Sequence, residues 1–258
     1  MMEVNEENSE REVPKIEVDI LDGDGEVVRR LEPSQGPQGA GIQRLVWDLR
    51  HPLAYEPDED DTRRRLRGPF VLPGTYNVRL SIGEDEQVKS LEVKGDPAIE
   101  ISTQDRRVLH DTLQSLNQML ATSRAILSTT RDVESRLQAI RQAIETHGEV
   151  SESIHSAVDE LANDVDAVLV TMEGEETGGG ATLPGAPPLA ARVRQLYVAI
   201  EAATSLPTTE QRRLTQLSHE QLIEQIANVN RLADSKLPAL ERQLDEAGVP
   251  WTPGRPIQ

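Results

Sequence analysis

The chain has no cysteine, and aromatic residues make up only 2% of it: two Trp, three Tyr and one Phe in 258 residues. The first absence excludes disulfides, thiolate zinc sites and cysteine nucleophiles, and with them the usual clue to redox compartment. The second leaves few rings for a carbohydrate site to stack on. Positive charge is also scarce. Against 45 Asp and Glu stand 27 Lys and Arg, for a formal net charge of −18. Phosphate binding draws on clustered positive charge, so a general nucleic-acid surface is disfavoured. No run approaches the roughly 18 consecutive apolar residues of a membrane helix. The opening Met1-Met2-Glu3-Val4-Asn5-Glu6-Glu7 is acidic where a signal peptide is basic and then apolar. The composition therefore predicts a soluble chain without a membrane span and without an export address of its own.

What is present divides into two patterns. From Pro14 to Asp96 apolar residues recur with the period of two that marks strands, and beyond Ile101 they take the 3/4 spacing of helices. Ile16, Val18 and Ile20 alternate with Glu17 and Asp19, and Asp22-Gly23-Asp24-Gly25 turns the chain into Glu26-Val27-Val28-Arg29-Arg30-Leu31 as a hairpin. Ile42, Leu45 and Trp47 are assigned to a third strand, Tyr76, Val78, Leu80 and Ile82 to a fourth, and Val88, Leu91 and Val93 to a fifth. Short strands with turn signals between them predict an antiparallel sandwich of Ig or fibronectin-III type.

The helical half begins at Ser102, whose hydroxyl is placed to cap a first turn with Asp105 at N3. Leu109, Leu113, Leu116 and Leu120 form a stripe that Ile126, Val133, Leu137, Ile140 and Ile144 continue, with a phase slip near Ser128-Thr129-Thr130 and a stop at Gly148. Ile154, Val158, Leu161, Val165, Val168 and Met172 keep 4-3 spacing in a second helix. Thr208 and Gln211 form a capping box, and Pro238 should kink the last helix. The expected fold is α+β with two segregated domains. These are a β-sandwich over residues 14–97 and an antiparallel four-helix bundle over 102–248, the latter interrupted by a Gly/Pro-rich linker at 173–188. An acidic disordered tail over 1–13 and a short tail over 249–258 flank them, and Pro57 to Arg67 reads as a loop whose acids, Asp58 to Asp61, offset Arg63, Arg64, Arg65 and Arg67.

Candidate chemistry is thin. Asp19, Asp22 and Asp24 before Gly25 suggest a calcium loop, but with Gly25 at the sixth position Ile20 and Leu31 occupy the places that need carboxylates. His147 and His155, with Glu149 and Glu152, flank a helix–helix turn at a spacing that is not a helical metal pair. His51, His110 and His219 lack a nucleophile motif to serve. Trp47 and Tyr76 are assigned to the core, and Asp48 and Arg50 to polar strand ends. No residue is therefore assigned as catalytic, cofactor-binding or metal-binding.

Ile16 to Asp22, Gly25 to Arg29, Gly41-Ile42-Gln43-Arg44-Leu45-Val46-Trp47-Asp48-Leu49-Arg50 and Pro73-Gly74-Thr75-Tyr76 resemble the Ig-like domain known from flagellar hook-capping proteins. With Leu237-Pro238-Ala239-Leu240 and Ala247-Gly248-Val249-Pro250, the chain is similar to the C-terminal region of prokaryotic sortilin-like, BNR-repeat proteins, in which a β-propeller precedes such a sandwich and a helical tail. The resemblance implies a non-catalytic accessory module that serves as spacer and docking surface for a protein partner such as a propeller, in an extracellular or periplasmic setting; a chain that stands alone without a signal peptide would instead be cytoplasmic. The propeller is not in this sequence, and acidic residues stand where a strand before Ile16 is expected, which would leave a sheet edge unpaired. Two other readings stay open: a component associated with glycan hydrolysis, and a homodimer closed over the Ile154 to Met172 stripe.

Overall fold

The computed structural model describes residues 16–31, 44–56, 66–175 and 187–250. The acidic segment over 1–13, Ile42, the charged loop from Pro57 to Arg65 and the glycine run of the linker lie outside them. The chain is a mixed α+β protein that divides into two compact units. The first takes in the strands, residues 44–53 and the first eight residues of the first helix, through His110; the second holds the rest of the helices together with residues 54–56.

In the first unit, β1 (Ile16–Leu21), β2 (Val27–Leu31), β3 (Gly74–Ile82) and β4 (Asp85–Val93) form one antiparallel sheet in the order β2-β1-β3-β4. The β1–β2 turn closes because Asp22 Oδ1 accepts the N–H groups of Asp24 and Glu26 at 3.0 and 2.9 Å, while Gly25 adopts φ +86°. Register carries the alternation into two faces: Ile20 lies opposite Val78, and Asp19 opposite Arg79 and Arg30. Ile20, Val28, Tyr76 and Val93 build the apolar face with Val71 and the packed ring of Trp47.

Three expectations change here. The segment at Leu45 and Trp47 forms no ladder with the sheet; its nearest regular pairing is a single antiparallel bridge from Arg50 to Phe70. β1, expected at an exposed edge, is paired on both sides, so among the described residues the edges are β2 and β4. Val88 and Leu91 contribute little to the core: Val88, 52% exposed, lies opposite Arg79 on the polar face, and Leu91 is exposed although it lies opposite Tyr76.

Helix α1 (Thr103–His147) starts with the Asp105 N–H on Ser102 Oγ at 3.1 Å, and ends at Gly148 with φ +100°. The phase slip leaves it unbroken. Buried Ser123 and Thr130 donate their hydroxyls to the carbonyls four residues back, Met119 and Ile126, so small polar residues continue the stripe without unsatisfied atoms. All six stripe residues of α2 (Glu152–Glu173) are buried within the chain. α3 (Leu189–Glu201) adds Val193, Leu196, Tyr197 and Ile200. α4 (Thr209–Arg231) opens on the Thr208–Gln211 capping box and turns Ile223 and Ile226 outward. Pro238 acts upstream of itself: lacking an N–H and crowding the carbonyl of Asp234, it follows a π-helical turn, Leu232–Lys236, in which the Leu237 N–H bonds back to Leu232. α5 (Leu237–Glu246) then buries Leu237, Leu240 and Leu244.

Candidate functional site

The motif around Trp47 builds a layer over the sheet's apolar face. Residues 49–51 run antiparallel to 69–71: the His51 N–H donates to Pro69 O and the Val71 N–H to Leu49 O, each at 2.9 Å. Leu49 lies at φ +58°, a left-handed conformation that costs a branched residue roughly 1–2 kcal/mol and is held by these flanking bonds. Gly68 admits the close approach. A Cβ there would fall 1.9 Å from the His51 carbonyl oxygen. Trp47 sets its ring edge-on to Tyr76, centroids 5.4 Å apart, and donates Nε1–H to Arg50 O at 3.1 Å; the Tyr76 hydroxyl donates to Leu72 O at 2.7 Å. Arg50, expected as a polar strand end, is 7% exposed: its guanidinium lies 3.5 Å from the Phe70 ring centroid and donates to Gly68 O at 2.7 Å.

The layer ends at His51, which meets His110 of α1. Their Nε2 atoms are 3.2 Å apart and their ring centroids 5.3 Å, with planes inclined by 56°. One Nε2 donates and the other accepts, the roles being set by the tautomers of the two rings. Burial and the neighbouring His110 lower the pKa of His51 to about 4, against a smaller opposing effect of the Asp22 carboxylate. The two histidines are 59 positions apart in the chain. No local spacing in the sequence announces them; only the packing of loop on helix does.

The other candidates disperse. Asp22 caps the hairpin turn, and Asp19 lies 3% exposed on the sheet's polar face, accepting from Arg30 Nε at 2.8 Å and Arg79 Nη2 at 2.7 Å. Those donors hold its carboxyl below the usual carboxylate range, although burial acts the other way. His147 closes α1 and His155 lies on α2 beyond the turn, while His219 is exposed on α4. Arg63, Arg64 and Arg65 lie outside the described residues. Among the described residues no group of three or more His, Asp or Glu is placed to hold a metal ion.

Within the helical unit a cleft of about 240 Å³ opens between α2 and α4 at the π-helical turn. Asp164, Thr171, Glu224, Asn228 and Arg231 contribute polar groups, and buried Gln225 lines its floor. Lys236 draws the Asp164 carboxylate aside, together with that of Glu160. No ring lines the cleft.

No family model, curated protein or solved structure matches this chain.

Proposed function

We propose that this chain is a non-catalytic accessory module of the kind that follows the β-propeller in exported sortilin-like proteins. On this reading the strand-rich unit, completed by its loop layer, is an Ig-like sandwich serving as spacer, and the helices are a bundle that docks a protein partner. One observation carries it. Three side chains of the Trp47 motif, Trp47, Arg50 and Tyr76, are engaged with one another or with backbone carbonyls of the same unit, as scaffold residues are, while Asp48 is exposed. The strand-rich unit adds an edge of its own to which a partner strand could pair: among the described residues β4 pairs on one side only, and all but Val93 of its nine residues are exposed.

The test is co-expression with a propeller encoded beside this chain. A stable one-to-one complex by light scattering is expected. An unrelated complete operon around the gene, or a propeller that elutes alone, overturns the reading.

Self-association stays as a second reading, with its surface moved. The α2 stripe is filled from within the chain, whereas Ile223 and Ile226 stand 55% and 39% exposed one turn apart on α4. If the chain pairs, replacing both by Glu should return it to a monomer in light scattering. A dimer unmoved by that change excludes this face.

A further inference from the structure

We propose that His51 and His110 together form an open two-histidine site for a borderline divalent transition ion, Zn²⁺ above all. The inference rests on the shape of the pair. Two imidazole nitrogens bound to a tetrahedral Zn²⁺ at about 2.0–2.1 Å stand about 3.3–3.4 Å from each other, and rings radiating from that ion have centroids about 5.2 Å apart. The pair shows 3.2 Å and 5.3 Å. A linear hydrogen bond of the same length would push the centroids to about 5.5 Å. The pair thus stands within about 0.2 Å of the separations of two ligands on one ion, and a shift of a few tenths of an ångström admits it.

The proton balance is simple. Of two neutral rings, the one carrying Nε2–H moves that proton to Nδ1, so both Nε2 lone pairs face the metal and no proton need be released. Both residues are half-buried, which leaves the site accessible. His51 is held by its backbone bond to Pro69 and by the close packing at Gly68, and His110 by its place on α1, so neither imidazole needs to be recruited from a flexible segment. The Asp22 carboxylate lies within electrostatic reach, and a chain of net charge −18 favours a cation over an anion. Imidazole selects Zn²⁺, Cu²⁺ and Ni²⁺, whereas Ca²⁺ and Mg²⁺ require oxygen. With no third protein ligand among the described residues, the remaining positions belong to water or to an exchangeable donor.

The experiment uses the full chain, stripped with chelator and titrated with ZnCl₂ in a non-coordinating buffer by calorimetry, with histidine ring nitrogens followed by NMR. A variant with His147, His155 and His219 all changed to Ala retains two of the five histidines, His51 and His110, and so assigns their signals. One equivalent of Zn²⁺ should bind both the natural chain and this variant, moving both Nε2 resonances together, while MgCl₂ moves neither. His51→Ala and His110→Ala should each weaken Zn²⁺ binding by at least about tenfold. No binding up to millimolar Zn²⁺, or binding unchanged in both single variants, overturns the proposal. If a single variant unfolds, as judged by circular dichroism, the ring signals of the triple variant decide alone: joint shifts sustain the site and unmoved rings overturn it.

Discussion

Arg79 donates Nη2–H to Asp19 Oδ2 at 2.7 Å straight across the β1–β3 ladder, and Arg30 reaches the same carboxylate from β2 on the other side. One acid thus ties three strands together on the polar face. Because its native pKa lies below the ordinary 3.8, the unfolded chain binds the proton more readily than the folded one. The resulting stabilisation is fully present above about pH 4 and is lost as pH falls through the native pKa. Urea midpoints measured from pH 6 downward should fall in that acid window, and Asp19→Asn should lower the neutral-pH midpoint while flattening the acid slope. An acid slope identical in Asp19→Asn would show that other carboxylates set it.

Gly68→Ala should be severely destabilising, by roughly 3 kcal/mol or more, because its Cβ meets backbone that cannot rotate away: His51 O at 1.9 Å and Pro52 O at 2.7 Å. Chemical denaturation measures the loss. The His51 and His110 ring signals should shift in the same variant, since the clash bears on the residue that positions one of them.

Tyr76→Phe removes the hydroxyl that holds Leu72 O, at a cost of about 1 kcal/mol. Trp47→Leu should cost more. It removes an edge-on ring contact worth about 0.5–1.5 kcal/mol beyond area burial, and the Nε1–H bond to Arg50 O as well. Thermal melts of the two variants should rank in that order, and the reverse order would place the loop layer's anchor at Tyr76 rather than Trp47.

In the helical unit Glu241, only 5% exposed, is paired with Arg136, whose Nε is the one buried side-chain nitrogen or oxygen without a partner among the described residues. Arg136→Met leaves a buried carboxylate unpaired and should cost about 3 kcal/mol. The double change Arg136→Met with Glu241→Leu should recover most of that loss, because the pair's desolvation penalty vanishes with it. A double variant no more stable than the single one would mean that the pair is net stabilising.

Local rules determined most of the helical half. The Thr208–Gln211 box, the Ser102 cap, the stop at Gly148 and the α2 stripe all depend on residues within a turn or two of each other, so periodicity and capping chemistry made them legible. The π-helical turn was half legible: Pro238 marks a disturbance, whereas the form it takes, a π-helical turn over Leu232–Lys236 in place of a kink, is seen only in the structure. In the strand half the turns and alternation were likewise readable, whereas the role of the Trp47 segment was not. Nothing in its composition shows that Leu49 adopts a left-handed backbone, or that Arg50 folds inward over Phe70.

The sequence by itself determined which residues are apolar on which period, where elements stop, and that disulfide and thiolate chemistry are excluded. Tertiary structure alone decided which of the polar residues meet. Asp19 joined Arg30 and Arg79 because strand register set it opposite both on the polar face. His51 and His110, 59 residues apart, became neighbours because a loop closed over Gly68 and set one imidazole against a helix. Hydrophobic periodicity is a short-range property of the chain, whereas the approach of two side chains across such a separation depends on every turn and packing contact between them.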